Sequence, residues 1–362
     1  MFDIQRYMTR GVMRVVADSL RATATNGKER RFMAGFAKNA ASASARRRKA
    51  EKAGEHIPPF LICSITSSCN LHCAGCYARE NHACSDEPPQ ALLTAQQWNG
   101  IFTEAEELGI SFILLAGGEP LLRRDVIETA AKHPSILFPI FTNGVFLKGK
   151  YIELLDKYRN LLPIVSIEGD EKTTDSRRGE GVYGSVTKAM EGMRDAGITF
   201  GASVTVTTEN LREVYSDAFL DGLYALGCRA VIYVEYVPVT DESADLAPGE
   251  SEQKYMREEV KRLRRKRRGM VFISFPGDEK SSGGCVAAGR GFFHINAHGG
   301  AEPCPFSPYS DINVIDSSLR GALRSPLFRA LQTQGLLQDD HIGGCTLYMN
   351  KDKVEAIVNG KF

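Results

Sequence analysis

The sequence contains no long hydrophobic run, which excludes several classes of protein. No apolar stretch approaches the roughly 20 residues that a membrane-spanning helix needs, and the first residues lack the uninterrupted apolar core of a secretory signal. There are no internal repeats beyond an alternation of strand and helix patterns, and no sizeable low-complexity segment. The 362 residues allow one large α/β domain and a smaller one. We therefore expect a cytoplasmic protein.

The net charge is also small, at +1, but the basic residues are unevenly distributed. Residues 1–50 contain twelve Lys and Arg against three Asp and Glu, a net charge of +9, so the rest of the chain carries −8. The apolar residues near the N-terminus follow helical spacing: Ile4, Met8, Val12, Val15 and Val16. This pattern predicts a basic amphipathic helix over 2–21, and a second helix is expected over 28–52.

We expect residues 1–56 to form a basic helical extension, for which three roles are open. The helices could pack on the catalytic domain with their charges in water. They could instead contact the inner face of a membrane peripherally. The basic run 46–49 could also bind an anionic partner such as nucleic acid.

From residue 57 onward, short apolar strands alternate with helices. Strands are predicted at 60–66, 112–117, 136–142, 162–168, 199–207 and 230–237, and helices at 94–109, 123–132, 150–158, 184–196 and 211–227. Six β/α repeats predict a parallel sheet with its helices outside, a partial (β/α)6 barrel of the TIM type over 57–240. Active sites in such sheets lie at the carboxyl ends of the strands.

Two further segments follow the predicted barrel. Residues 241–270 form a linker and a helix that carries the basic run 261–268, which could be a solvated helix face or an anion-binding surface. Residues 271–362 form a small α+β domain that begins with a predicted strand at 271–275.

The first strand leads into a loop with three cysteines, Cys69, Cys73 and Cys76, spaced C-x3-C-x2-C. Thiolates hold iron–sulfur clusters, and three of them can bind three irons of a four-iron cube. The fourth iron then has no protein ligand and can react. A structural zinc site is the alternative, although zinc sites usually pair two C-x2-C units and this loop has one. With nine cysteines and no secretion signal, we expect thiols that bind metal rather than disulfides.

Polar residues follow the next three strands. After the second strand, Gly117, Gly118 and Glu119 could let a backbone approach a ligand closely and accept bonds from an amine. The third strand ends in Thr142 and Asn143. The fourth ends in 166–169, where Ser166 and Glu168 share a face and suit a ribose diol.

This ordered set of motifs, a C-x3-C-x2-C loop followed by Tyr77 and then GGEP, TNG and SIEG on successive strands, resembles the radical S-adenosylmethionine (SAM) superfamily over roughly residues 57–240. The resemblance implies that the three cysteines hold a [4Fe–4S] cluster whose open iron is chelated by SAM. It implies that the methionyl amine is held by Gly117, Gly118 and Glu119 and the ribose by Ser166 and Glu168. The adenine would lie near Tyr77. The other predicted SAM-pocket residues are Thr142, Asn143 and Arg178, the last of these near the SAM carboxylate.

A second set of cysteines, Cys285, Cys304 and Cys345, lies near the C-terminus. Two short β-like stretches joined by a glycine turn bring the first two together. This region resembles the twitch form of the SPASM extension, which carries an auxiliary [4Fe–4S] cluster. A structural or zinc-binding role is the alternative. The fourth iron could be open to substrate, or Cys84 or a histidine could close it, with His294, His298 and His341 as candidates.

We expect an enzyme that cleaves SAM reductively to a 5′-deoxyadenosyl radical, which takes hydrogen from an unactivated C–H bond under anaerobic conditions. A peptide or protein is the predicted substrate, with a lipid or membrane-associated molecule or a small anionic metabolite as alternatives. Flavodoxin or ferredoxin is the expected reductant. A non-catalytic iron–sulfur module or a nucleic-acid-binding protein is the alternative from another class, and no clear base-stacking platform supports the second of these.

Overall fold

The structure is a computed structural model that describes residues 4–22, 26–238, 241–276, 283–337 and 345–360. Its centre is one nine-stranded sheet in the order β7-β6-β5-β4-β3-β2-β1-β8-β9. The strands are β1 Phe60–Ser64, β2 Phe112–Ala116, β3 Phe138–Thr142, β4 Leu161–Ser166, β5 Gly201–Val206, β6 Ala230–Glu235, β7 Val271–Phe275, β8 His294–Ile295 and β9 Ala301–Glu302. Strands β1 to β8 pair in parallel, whereas β8 and β9 are antiparallel.

Fifteen helices accompany this sheet in the described residues. They are α1 Ile4–Ala22, α2 Gly27–Lys52, α3 Tyr77–Glu80, α4 Ala95–Leu108, α5 Arg124–Ala130, α6 Lys150–Lys157, α7 Glu171–Arg178, α8 Val182–Asp195, α9 Leu211–Val214, α10 Asp217–Ala225, α11 Glu250–Lys266, α12 Leu319–Ala322, α13 Pro326–Thr333, α14 Thr346–Met349 and α15 Lys351–Val358. Two 3-10 helices lie at Pro120–Leu122 and Asp241–Leu246. Among the helices described, none is long and apolar enough to cross a membrane.

The predicted partial barrel is confirmed, with one additional strand. The sheet is open, because its edge strands, β7 and β9, are not paired with each other in the described residues. The strand at 271–275, which the sequence places in the C-terminal domain, pairs with β6 from Ala230↔Val271 to Val234↔Phe275 and extends the barrel sheet. Strand β8 then pairs with β1 at Ile62 and Cys63, so the C-terminal segment joins the opposite edge of the same sheet.

Alternation along the strands separates an outer face from an inner face. Leu61 and Cys63 of β1 are fully buried and belong to the main core together with Trp98 and Phe102 of α4. Phe60, Ile62 and Ser64 point to the other face and are half-buried. Ile62 of β1 pairs with Leu114 of β2. Because successive side chains in a strand alternate between the two faces, such pairs continue the inner face across the sheet.

The N-terminal helices cover the amino end of the barrel. Val12 and Val16 of α1 and Met33 and Phe36 of α2 are buried in one apolar cluster together with Phe112, the first residue of β2. The rings of Phe36 and Phe112 meet edge to face, with centroids 5.4 Å apart. The extension therefore packs against the barrel, and Val12 and Val16 of α1 are covered by the protein itself.

Ion pairs and hydrogen bonds attach both basic runs to the fold. In α2, Arg47 is almost fully buried and donates to the carbonyl of Gly109. In α11 and the residue after it, Lys266 and Arg267 both reach Asp217, at 2.7 and 2.9 Å. The pKa of Asp217 is lowered by its bonds to Lys266, Arg267 and Arg262. The solvated, structural interpretation of 261–268 agrees with these contacts.

Candidate active site

The three cysteines of the first loop lie at the carboxyl end of β1, and all three are partly exposed. Contacts from neighbouring strands hold this loop. The amide of Ala74 donates to the carbonyl of Arg177 at 2.8 Å, and Asn143 donates to the side chain of Asn70 at 2.8 Å. Arg178 Nη1 lies 3.9 Å from Cys73 Sγ. The loop is thus positioned by residues that follow the third and fourth strands.

The electrostatics of the loop favour thiolate at one position. A hydrogen bond with Cys84 lowers the pKa of Cys69 to about 6, against the effect of burial. Burial raises the pKa of Cys73, although Arg178 and Arg177 act in the opposite direction. Thiolates are the form that binds iron, so the lowered pKa of Cys69 is suited to that role.

Glycines 117 and 118 are required by the cysteine loop. The φ of Gly117 is +126°, and a Cβ there would lie 2.3 Å from the carbonyl oxygen of Thr66. A Cβ on Gly118 would lie 2.1 Å from the carbonyl oxygen of Ser68. These are backbone atoms, which cannot yield as the end of a side chain could. The glycine motif therefore lets the turn after β2 pack directly against the loop that carries Cys69.

Glu119 connects the second and third strand ends. Its buried carboxylate accepts bonds from the amides of Leu121 and Asn143 at 3.0 and 2.8 Å and from the hydroxyl of Thr142 at 2.7 Å. Burial raises its pKa to about 7, although these three bonds act in the opposite direction. The contact of Glu119 with a methionyl amine stays a prediction, and its observed partners lie within the protein.

Glu168 is buried and paired with two arginines. Its Oε1 accepts from Arg177 and Arg178, each with a nitrogen at 2.5 Å, and its Oε2 accepts from the amide of Thr205 at 2.8 Å. Burial alone would raise the pKa of Glu168, but the arginines and the amide hold it below its usual value. The sequence singled out Arg178 and missed Arg177. The adjacent arginines of the RRG run, opposite the carboxylate of SIEG, were the available signal.

The second set of cysteines also comes together. Cys285, Cys304 and Cys345 are buried and line one pocket, which is otherwise apolar, with Val237, Phe275, Pro276 and Phe306. The predicted hairpin is present as β8 and β9. This convergence agrees with the predicted ligand set.

The candidate fourth ligands of that set lie elsewhere or have other partners. Cys84 hydrogen-bonds with Cys69, in the first loop. His294 contacts Glu302 and Ser64, and His298 contacts the carbonyl of Ala91. His341 lies outside the described residues.

Tyr77 lies between the two cysteine sets. Its ring contacts that of Phe306, which lines the second pocket, with centroids 4.7 Å apart. Burial is the main cause that raises its pKa, followed by the nearby thiols of Cys76 and Cys304. The sequence placed Tyr77 near an adenine, and the structure shows in addition that it links the first loop to the C-terminal segment.

Three thiols lie in one loop and three line one pocket, and thiols are the donors that hold iron–sulfur clusters. In the part of the chain that the structure describes, no three His, Cys, Asp or Glu side chains converge on one metal ion.

Comparison with known proteins agrees with the predicted family. Residues 63–220 match the Radical SAM superfamily. The chain therefore contains a radical SAM domain, which makes it an enzyme that uses SAM and a [4Fe–4S] cluster.

The relatives of this radical SAM chain differ in how much of it they match. An AdoMet-dependent heme synthase of Methanosarcina barkeri is 27% identical over 292 residues, which cover 73% of this chain and 82% of that protein. A mycofactocin maturase, MftC, of Mycolicibacterium smegmatis is 29% identical over 182 residues, 49% of this chain but only 45% of that protein.

Solved structures show the same fold. SuiB of Streptococcus suis bound to S-adenosylmethionine superimposes with a TM-score of 0.66 at 18% identity, covering 80% of this chain and 72% of that one. A SPASM-type extension is consistent with the match to MftC and with a match to the sporulation killing factor maturation protein SkfB of Bacillus subtilis, which covers 38% of that protein.

Proposed function

We propose that this enzyme abstracts hydrogen from an unactivated C–H bond of a substrate held inside the barrel, between two [4Fe–4S] clusters. Cys69, Cys73 and Cys76 would hold the first cluster, and Cys285, Cys304 and Cys345 the auxiliary one. When bound, the first cluster and SAM supply the 5′-deoxyadenosyl radical. The observation that carries the proposal is the contact between the rings of Tyr77 and Phe306, because it joins the loop of the first cysteine set to a residue that lines the pocket of the second.

The protein's own residues then have defined tasks. The loop presents three partly exposed thiols, and Arg178 adds positive charge beside Cys73. The ion pair with Glu168 fixes the position of the Arg178 guanidinium. Helices α1 and α2 cover the opposite end of the barrel, so water is kept from that side and a reactive radical is protected from quenching. Ser166, half-buried at the carboxyl end of β4, would contact the SAM ribose together with Glu168.

Anaerobic reconstitution tests the two-cluster proposal. With all cysteines present, we expect about eight irons per chain and dithionite-dependent formation of 5′-deoxyadenosine. The triple change of Cys69, Cys73 and Cys76 to Ala should leave about four irons and abolish SAM cleavage. Changing Cys285, Cys304 and Cys345 should also leave about four but retain SAM cleavage.

Two single variants complete this test. Cys228→Ala, in a fully buried position before β6, serves as the control and should keep the full iron content. Cys84→Ser should leave the auxiliary cluster loaded, since Cys84 contacts Cys69. Full loading without SAM cleavage would disprove the proposed function.

A peptide is the first proposed substrate. SkfB and MftC are maturases, and SuiB has been solved with its precursor peptide SuiA at 17% identity to this chain, which concerns the fold alone. Incubation of the reduced holoenzyme with a pool of synthetic peptides should produce peptides that lose two hydrogens, detected by mass spectrometry. No mass change above that of a SAM-free control would count against a peptide.

A tetrapyrrole is the second candidate, favoured by one observation. The match to the heme synthase covers 82% of that protein and extends beyond the barrel. Iron-coproporphyrin III is the probe, and binding would shift its Soret absorbance. Conversion would appear as a new tetrapyrrole by chromatography after reduction in the presence of SAM. Binding of neither probe would leave a lipid or membrane-associated molecule and a small anionic metabolite as the remaining proposals.

A further inference from the structure

Ser64, His294 and Glu302 form a continuous hydrogen-bonded chain. His294 Nε2 lies 2.7 Å from Ser64 Oγ, and His294 Nδ1 lies 2.7 Å from Glu302 Oε2. The other carboxylate oxygen of Glu302 accepts from Asn296 Nδ2 at 2.6 Å. His294 and Glu302 are both buried. Every polar atom of the imidazole is therefore engaged, and its orientation is fixed.

The hydrogen-bonded chain of Ser64, His294 and Glu302 ends at the inner face of the barrel. Ser64 is the last residue of β1 and lies on the same face as Ile62, opposite to buried Cys63. Register pairs Ile62 with His294 and His294 with Glu302, so all three side chains lie on that face. Ser64 is half-buried, whereas His294 behind it is closed off. The hydroxyl is thus the member of the chain that faces the interior.

The hydrogen-bonded chain lies close in sequence to both cysteine sets of the proposed function. Ser64 is five residues before Cys69, and Glu302 lies on the strand that leads to Cys304. The hydrogen-bonded residues therefore lie between the segments that carry the two cysteine sets, where the proposed function places the substrate.

A second His–Glu pair in the protein shows what a purely structural arrangement looks like here. His133 is bonded to Glu106 at 2.9 Å and to Asn99 at 3.2 Å. It is buried like His294, but it packs against Phe102 of α4 in the layer outside the strands. No hydroxyl of the inner face is bonded to it in the described residues. The contact with Ser64 distinguishes His294 from this pair.

We propose that Ser64, His294 and Glu302 form a proton relay that acts on a substrate in the barrel, with Ser64 as the contacting group. Glu302 accepts from Nδ1–H, which leaves Nε2 as the acceptor for the Ser64 proton. When Ser64 Oγ takes a proton from the substrate, its own proton moves to Nε2. The substrate loses one proton, His294 gains it, and no electron is transferred. The proposal depends on the proposed function only for the position of the substrate.

An activated hydroxyl can be measured without knowing the substrate. The probe is a biotinylated fluorophosphonate, added to the anaerobic, reconstituted full-length protein. Attack by Ser64 Oγ forms an O–P bond, the P–F bond breaks, fluoride leaves, and the hydroxyl proton moves to His294. We expect the peptide that contains Ser64 to be labelled, and the label to disappear in Ser64→Ala.

His294→Gln tests the role of the imidazole. A glutamine can keep a hydrogen bond to Ser64 but cannot take its proton, so the labelling rate should fall at least tenfold. His133→Gln removes the pair with Glu106, and this variant should be labelled at the wild-type rate. Iron content and melting temperature of the variants are compared to show that the fold is kept. If His294→Gln does not fold, Glu302→Gln takes its place, and its labelling rate should also fall.

Two results would overturn the proposal: no label at Ser64 in the folded wild-type protein, or equal labelling rates in wild type and in the folded relay variant. The labelling assay does not need SAM cleavage. Loss of 5′-deoxyadenosine formation with Ser64 still labelled would contradict the proposed function and leave the relay standing. Normal SAM cleavage without labelling of Ser64 would contradict the relay and leave the proposed function standing.

Discussion

The rings of Tyr77 and Phe306 meet at a tilt with centroids 4.7 Å apart, so the first residue of the helix after the cysteine loop touches the C-terminal segment directly. The two residues are 229 positions apart in the sequence. Their contact means that the two cysteine sets cannot shift independently without breaking an aromatic pair.

Replacing Phe306 with Leu tests this contact. Leu keeps an apolar side chain but removes the ring, so the free energy of unfolding should fall by about 1 kcal/mol from the lost aromatic pair. Urea denaturation of the cluster-free protein measures this change in the free energy of unfolding. Tyr77→Phe keeps both rings and should lose less. An equal loss of unfolding free energy in both variants would show that the contact between the two rings contributes nothing of its own.

Arg178→Gln should destabilise the protein strongly. Glu168 is 1% exposed, and loss of one of its two guanidinium partners leaves a buried carboxylate poorly compensated, at a cost of about 3 kcal/mol. Since the arginines hold the pKa of Glu168 low, the stability they confer is present above the ordinary glutamate pKa and is lost as the pH falls.

The matched control is Arg194→Gln, which removes an exposed pair with Asp195 and should cost less than about 1 kcal/mol. Urea unfolding at pH 7 compares the two variants. A similar small effect of both would show that Arg177 alone suffices for Glu168.

Glu119 should make stability fall as the pH rises. Its pKa is raised by burial from 4.5 to about 7, so between these values the folded protein holds a proton that the unfolded chain has released. The stabilisation is fully present below about pH 4.5, is lost as the pH rises to about 7, and is on the order of 3 kcal/mol. Unfolding of the cluster-free protein across this range measures the slope, which Glu119→Gln should flatten. An unchanged slope in the variant would assign the effect to another group.

Phe36→Ala should loosen the N-terminal extension. Phe36 is 1% exposed and packs on Phe112, so its truncation should cost about 3–5 kcal/mol. Met13→Ala, at an exposed position of α1, should change the free energy of unfolding by less than about 0.5 kcal/mol. Flotation with anionic vesicles completes the test. Because the apolar face of α1 is covered, the wild-type protein should float no more than one that lacks residues 1–50.

Much of the fold could be predicted because the patterns are local. The first six barrel strands match their predicted positions to within two residues at each end, since buried strands between helices leave short apolar runs. The pairing of β7 with β6 was not predicted, because it depends on where the chain returns after α11. The pairing of β8 with β1 could not be foreseen for the same reason.

The candidate site was predicted less evenly. The grouping of Cys285 with Cys304 followed from a hairpin, which is local, whereas the approach of Phe306 to Tyr77 depends on tertiary packing. Gly117 and Gly118 were expected to make room for a ligand, yet the atoms closest to them belong to the backbone at Thr66 and Ser68. His294 was considered only as a metal ligand, because nothing in its sequence neighbourhood reveals that Ser64 lies opposite.

Since α1 and α2 cover the amino end of the strands, the described residues close the barrel at that end. In the proposed function, a substrate therefore enters and leaves at the edge that carries Cys69, Cys73 and Cys76, or through the open side of the sheet. A long substrate can insert an end or a bend but cannot pass through the amino end. The order of arrival then matters, because a substrate seated first at this edge would lie in the path of SAM.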